Sequence, residues 1–530
     1  MNDEFDYIVV GAGSAGCALA NRLSADPSHS VLLLEAGPKD HFLSRVPISF
    51  AKLIDNPAAN WCYRSQPEAG TENRAIPVPR GRLLGGSSSI NGMVYVRGQP
   101  LDFDTWAQLG NRGWSYDDVL PIFERMESYA EGGATRGANG PLRVGVVHDQ
   151  NPIYDALLNA GNELGIAANL DYNGPEQEGI CRTQATISEG RRMSAAYAYL
   201  DPIRQRSNLT IITGAEVARV LLEGRRCTGV EYRLGNTVKI ASARGEVILS
   251  GGAINSPKLL ELSGIGRSEV LGEHGIEVVH ELAGVGEGLR DHIAPRLVFE
   301  VTRPGVAYND LGRGVGLLGQ ILTYAFKRTG LLSLPTAPVL GFIKTRPELA
   351  SPDVQIHFVP YRVVLKDGKR NFSDDAGITC TVNQCRPESL GSIHINSALP
   401  SAAPNIHFNF LDAELDRRTL IGGMRFVRSL LATDAMQTLC GNEMQPGAAV
   451  ASDEQLLQFI RDTAETAYHP VGTCKMGSDP MAVVDAQLRV HGIERLRVAD
   501  GSIMPTLTSG NTNAPCMMIG EKCADMVLSA

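Results

Sequence analysis

No two cysteines in this sequence have the C-x-x-C spacing that zinc ribbons and dithiol redox motifs use. The ten cysteines stand apart; the nearest to a pair is Cys380 and Cys385, in a strand-like region without a histidine cluster. A structural metal site is therefore not expected, and the thiols read as reduced, mostly buried and cytosolic. A run of roughly 18 apolar residues, enough to span a bilayer, is also missing. The nearest approach, Gly314 to Phe326, has no charge but is short and rich in glycine, and Lys327 and Arg328 follow it. A loop packed over the protein body is the expected arrangement there. A helix lying in a membrane interface, giving peripheral contact with an inner membrane, is the alternative. Long basic runs are absent too, and a net charge of −9 argues against nucleic acid as the main partner. Met1-Asn2-Asp3-Glu4 is acidic and leads straight into a strand, unlike a secretory signal.

What is present in quantity is glycine, 56 residues in 530, and it is clustered. The length predicts about three or four domains with ample core. Tyr7 to Val10 is a short uninterrupted apolar run, as in a parallel strand buried on both faces. Gly11-Ala12-Gly13-Ser14-Ala15-Gly16 follows, then Cys17, Leu19, Ala20 and Leu23 at helical spacing, and a second run, Val31 to Leu34, ends in Glu35. That order is the βαβ unit of a dinucleotide site. Gly11 permits the tight turn, Gly13 lets backbone approach a pyrophosphate, and Gly16 lets helix and strand pack closely. Glu35, 19 residues past Gly16, is placed to accept hydrogen bonds from ribose hydroxyls. The same GxGxxG pattern recurs at Gly314 to Gly319 without a preceding strand or a following acid, and reads as an apolar loop or helix.

Further along, Gly81 to Gly92 is dense in glycine and serine, which suits backbone running beside a flat ligand. Leu83, Leu84, Ile90, Met93 and Val94 make it too apolar for a plain linker. Leu209 to Thr213, Ala218 to Leu222, Gly229 to Leu234 and Val238 to Ala241 predict a β-meander, and Glu246 to Ser250 a further buried strand. Val298 to Val301, Gln355 to Val359, Ile378 to Gln384 and Ser392 to Asn396 predict a separate antiparallel sheet. Alternation puts Gln355, His357 and Val359 on one of its faces and Val354, Ile356 and Phe358 on the other. The last seventy residues return to polar, glycine-rich loops, including Tyr468 to Thr473 and Ser509 to Pro515.

These segments resemble the glucose–methanol–choline (GMC) flavoprotein oxidoreductases over essentially the whole chain. The residues that carry the resemblance are GAGSAG near the N-terminus, GRLLGGSSSINGMVYVRG from Gly81, GAINSPKLLELSGIG from Gly252, HPVGT from His469 and GNTNAP from Gly510. The similarity is strongest to the bacterial branch of choline dehydrogenase-like and aliphatic-alcohol or polyethylene-glycol dehydrogenases. It implies an α/β (α+β) fold, with a Rossmann-like FAD-binding domain and a substrate domain built on an antiparallel sheet flanked by helices. Expected limits are 1–150, 205–295 and 465–530 for the discontinuous FAD domain, and 151–204 with 296–464 for the substrate domain.

The resemblance also implies site residues. Gly11, Gly13 and Gly16, with Ser14 and Ala15 between them, would take the FAD pyrophosphate, and Glu35 with Ala36 the adenosine ribose. Arg82, Gly86, Ser87, Asn91, Gly92 and Val94 would line the ribityl chain and isoalloxazine, and Val217 would meet the adenine. Asp500, Asn511 and Thr512 would close over the flavin end. Ile90 stands where some members attach FAD through a histidine, so the cofactor is expected to be non-covalent. His469 is the implied base and Asn513 the implied donor to the alkoxide. His292 reads as structural, and His357 as a residue that could face the pocket. The implied reaction is oxidation of a primary alcohol to an aldehyde, with a quinone or similar carrier as electron acceptor. Oxygen as acceptor, a hydroxynitrile lyase and a non-catalytic dinucleotide-binding protein are the alternatives.

Overall fold

The computed structural model describes residues 3–366 and 369–529; Met1 and Asn2, the start of the acidic N-terminus, lie outside them. Strand β1 (Asp3–Val10), helix α1 (Ser14–Leu23) and strand β2 (Val31–Glu35) form the expected opening unit. β1 pairs in parallel with β2 on one side and with the long strand Thr237–Leu249 on the other. Leu209–Thr213 adds in parallel beyond β2, and Leu496–Val498 in parallel beside Thr237–Leu249. Val10 lies opposite both Leu34 and Leu249, and Leu249 opposite Val498. Four strands therefore end at one edge. Segments far apart in sequence arrive there together: the Gly11 turn, Glu35, Gly251-Gly252 and Asp500. Ligands of open parallel sheets bind beyond this edge.

Two details differ from the expected meander. Leu209–Thr213 belongs to the parallel sheet, as its register against Val31 to Glu35 requires. The predicted strands at Val238 to Ala241 and Glu246 to Ser250 are one strand, Thr237–Leu249. Its first half pairs antiparallel with Arg226–Leu234, and its second half, buried at Val247, Ile248 and Leu249, pairs with β1. Its exposed Thr237 to Ile240 and buried end gave the two halves different hydropathy, which hid their continuity.

A second sheet has the strand order Cys440–Gln445, Arg296–Val301, Gly377–Gln384, Val354–Val359, Val339–Ile343, Gly179–Arg182, all antiparallel neighbours. Val354, Ile356 and Phe358 enter its core with Val382, Met424 and Val427, the last two from helix Glu414–Leu431. His357 and Val359 face the other way, as alternation predicts. Gly391–His394, expected in this sheet, pairs instead with Glu287–Leu289 and Asn405–His407 in a small sheet of its own. Gly314–Lys327 is a helix and not a packed loop: among its residues only Tyr324 is buried. No helix among the described residues is long and apolar enough to cross a membrane.

Candidate active site

A cavity of about 1520 Å³ runs from Glu35, beyond the parallel sheet, to His469 and on to the strand Val354–Val359. Small-molecule sites hold roughly 300–1,000 Å³, so there is room for a dinucleotide and a substrate in series. At its nucleotide end Gly11 has φ +98°, and a Cβ there would lie 2.6 Å from the Ser250 carbonyl oxygen. Gly13 has nothing nearer than 3.9 Å at its Cβ position and presents bare backbone to the cavity. Gly16 is different. Its Cβ would sit 1.9 Å from the Gly11 carbonyl oxygen, so it packs the turn against α1 and is not part of the lining.

Ser14 and Ala15 open α1 on the cavity wall, and helix Asn513–Leu528 starts beside them. Two helix N-termini thus bring unpaired N–H groups and positive dipole ends to the place where an anion would lie. They are tied together by a hydrogen bond of 2.8 Å from Ser14 Oγ to Asn513 Oδ1. Glu35 is buried, accepting from the Ala12 N–H at 3.0 Å and the Gly37 N–H at 2.9 Å. Burial pushes its carboxyl up to about 7 against those two donors. Ala36 and Val217 line the same end.

The glycine–serine segment crosses the first glycine turn directly: the Gly85 N–H donates to the Ala12 carbonyl at 2.8 Å. A Cβ on Gly86 would come within 2.8 Å of Gly13 Cα. Gly86, Ser87, Asn91, Gly92 and Val94 follow along the wall, as expected. Arg82 does not. Its guanidinium lies 4.8 Å above the Trp61 ring, and its carbonyl packs against Gly37, away from the lining. Asp500 caps the short turn after the Leu496–Val498 strand, accepting from Ser502 N, Gly252 N and Ser256 Oγ at 2.8, 2.8 and 2.6 Å.

At the other end a chain of hydrogen bonds assigns the protons on His469. His292 Nε2 donates to the Cys385 carbonyl at 3.1 Å, which leaves His292 Nδ1 as an acceptor. His469 Nδ1 is 2.9 Å from that nitrogen and must carry the hydrogen between them. In neutral His469 the lone pair is then on Nε2, which faces Asn511 Nδ2 at 3.1 Å. The Asn511 amide is itself aimed by Gln355, whose Nε2 donates to Asn511 Oδ1 at 3.1 Å. Sequence reasoning gave the donor role to Asn513 and set Asn511 over the flavin. The structure places Asn511 against His469, whereas Asn513 is turned to Ser14 as the first residue of its helix.

The loop carrying His469 is fixed from below by Asp291. The main-chain N–H groups of His292 and His469 both donate to Asp291 Oδ1 at 2.8 Å, and Thr466 Oγ1 donates to Oδ2. Arg80 donates to the Tyr468 carbonyl at 2.6 Å, and Tyr468 is held at φ +72°. Burial, then His292, His357 and Arg80 nearby, hold His469 well below the ordinary histidine range. Burial likewise puts His292 and His357 at about 4. All three are neutral near pH 7. His292, Asp291, Arg80 and Gln355 were not singled out for this role from the sequence; His292 lies 177 residues from His469, and no local pattern connects them.

The remaining wall is one face of the second sheet: His357 opposite Thr381, and Val359 opposite Thr379, with Asn383 beside them. Thr336 Oγ1, next to Gly92, together with Asn383 Oδ1 and Gln355 Oε1, is buried without a protein hydrogen bond among the described residues. Unpaired buried polar atoms beside a lined cavity fit a ligand that supplies the partners. No group of side chains among the described residues could hold a metal ion, and all ten cysteines are free.

Comparison with known proteins identifies the family. GMC oxidoreductase family models match residues 5–294 and 387–520. An oxygen-dependent choline dehydrogenase from Photobacterium profundum is 43% identical, over 100% of this chain and 94% of its own. An alcohol dehydrogenase (acceptor) from Pseudomonas putida is 43% identical, over 99% and 96%. Among solved structures, pyridoxine 4-oxidase from Mesorbium loti superposes with a TM-score of 0.90 at 30% identity, covering 99% of each chain. A formate oxidase variant from Aspergillus oryzae RIB40, studied for its FAD modification, gives 0.93 at 28%, over 99% of this chain and 98% of that one. The chain belongs to the GMC oxidoreductases, FAD-binding enzymes that act on CH–OH donors.

Proposed function

We propose that this protein oxidises a neutral primary alcohol to the aldehyde, with non-covalent FAD and an external carrier such as a quinone as final acceptor. One observation carries the reading: the unprotonated Nε2 of His469 and the amide of Asn511 converge on one point of the cavity. The two glycine turns, the paired helix N-termini and Glu35 would hold FAD, and Gly92 and Thr336 would lie along its flavin end. Bound there, FAD supplies the acceptor for the hydride that leaves the alcohol carbon.

The protein's own part is proton and charge. A hydroxyl entering between Asn511 and His469 replaces their mutual hydrogen bond with one to each. Its proton passes to Nε2, and the oxygen, gaining negative charge, takes the Asn511 N–H. His292 accepts the Nδ1 hydrogen of His469 and keeps the ring in the tautomer that can act as a base. Among the described residues, no lining carboxylate comes from the strands Val354–Val359 and Gly377–Gln384 that carry His357, Val359, Thr379 and Thr381, and Glu465 nearby is paired with Arg296 at 2.7 Å. That favours a neutral alcohol over the quaternary ammonium of choline.

The deciding test is anaerobic addition of aliphatic alcohols, aromatic alcohols and choline to the oxidised holoenzyme, watching the flavin colour. Bleaching by aliphatic alcohols is expected. No bleaching by any alcohol would mean a lyase or a binding protein. Hydrogen peroxide formed in stoichiometric amount during aerobic turnover would assign oxygen as the acceptor. Release of FAD by acid precipitation checks the non-covalent state.

A pH profile follows from the buried imidazole. The competent form is neutral His469, lost as pH falls through its folded pKa, and that pKa lies below the ordinary value of about 6.5. Measured kcat/KM for a water-soluble alcohol is therefore expected to be level from pH 7 upward, with its acidic limb below the ordinary histidine range. A limb centred above 7 would contradict the role.

A further inference from the structure

Helix Gly314–Lys327 turns its apolar residues the wrong way for a soluble surface. Val315, Leu318, Leu322 and Phe326, spaced three or four apart, form an outward stripe exposed by 87, 55, 49 and 83%. On the adjacent flank Leu317, Ile321 and Tyr324 line the mouth of the cavity, with Leu331 and Leu332 beside them. A stripe of this kind on a single helix is what an interfacial membrane anchor presents.

Charge indicates what covers it. The chain carries −9 overall, yet from Leu311 to Pro347 it has no acidic residue, while Arg313, Lys327, Arg328, Lys344 and Arg346 fall in that stretch. Arg313 is engaged by Asp374, and Lys344 by Glu178. Lys327 and Arg328 sit where the helix ends, the position from which cations reach lipid phosphates. The occupant must also leave the cavity mouth passable, because the flank of the same helix forms its wall. A lipid surface does this, whereas a second copy of the chain would close the opening.

We propose that helix Gly314–Lys327 seats the cavity mouth in the surface of an anionic bilayer, so that apolar alcohols enter directly from lipid. The docking stands independently of the redox chemistry; only the route of substrate rests on the alcohol-oxidising reading.

Vesicle flotation tests it at low salt, with phosphatidylcholine alone and with about a third phosphatidylglycerol. The wild-type holoenzyme is expected to float with the anionic vesicles. The triple variant L318S/L322S/F326S is expected to lose binding at least about tenfold, and K327E/R328E to lose the preference for phosphatidylglycerol. None of these side chains lines the cavity, so FAD content and turnover of a short water-soluble alcohol are expected to stay at wild-type values. Turnover of a long-chain alcohol delivered in vesicles is expected to fall in the triple variant. Wild-type protein that stays unbound overturns the proposal. So does a dimer that the triple variant splits on size exclusion without any change in flotation. Flotation needs no turnover, so its failure is distinguishable from failure of the alcohol reaction.

Discussion

His469→Ala is expected to lower kcat about a thousandfold, within the usual range for losing a general base, and to leave FAD bound. The two effects separate because the cofactor-binding groups and the base lie at different ends of the cavity. Glu35, Gly11 and Gly13 line the opposite end from the Asp291-anchored loop that carries His469. His469→Gln is the sharper variant. A glutamine amide still reaches Asn511 and His292, but it takes no proton at neutral pH, so kcat stays low although the hydrogen bonds persist. The measurement is the anaerobic rate of flavin reduction in protein whose FAD content has been fixed by release and absorbance. A flavin-replete variant that reduces at the wild-type rate would remove His469 from the chemistry.

The second large effect distinguishes two asparagines that stand two residues apart. Asn511→Ala is expected to cost about a hundredfold in kcat/KM, the scale on which a single donor to a developing oxyanion is felt. Gln355 aims that amide through Asn511 Oδ1, so Gln355→Leu is expected to give a milder version of the same loss with FAD unchanged. Asn513→Ala is expected to act elsewhere. It leaves Ser14 Oγ without its acceptor and loosens the junction of two helix N-termini, so FAD dissociates more readily. Once FAD is added in excess, turnover is expected to return. Should the flavin-replete Asn513→Ala enzyme prove as slow as Asn511→Ala, the assignment drawn from the structure is wrong.

That pair also shows where reading the sequence ran out. The opening βαβ unit was legible because strand, turn, helix and terminal acid lie within 33 residues and each has a local signature. His469 was found because a motif surrounds it. In Gly510-Asn511-Thr512-Asn513, however, both asparagines are plausible donors, and a helix that begins at the second decides between them. The start of a helix is among the least certain features of a sequence, particularly where Thr512 makes no side-chain cap. His292, Arg80 and Gln355 were out of reach for another reason. They meet His469 and Asn511 only through strand pairing and loop contacts across long sequence separations. The helix at Gly314 to Lys327 inverted the expectation because its glycines suggested a loop, and because a stripe of apolar residues does not say which way it points.

The order of strands in the parallel sheet bears on how the enzyme comes into being. β1 precedes its partners on one side by a long stretch of chain: one neighbour ends at Leu249, and the strand beyond that at Val498. Helix Asn513–Leu528 then lies on α1 so closely that a Cβ on Gly520 would be 2.4 Å from the Ala15 carbonyl oxygen. The nascent chain therefore holds an open sheet edge and an uncovered α1 until helix Asn513–Leu528 has emerged, and such edges are prone to aggregation. Closure of the site proposed for FAD therefore waits for helix Asn513–Leu528 to be in place. A chain truncated shortly before Asn513 is expected to keep every residue of the opening βαβ unit and still fail to retain FAD, as release and absorbance would show.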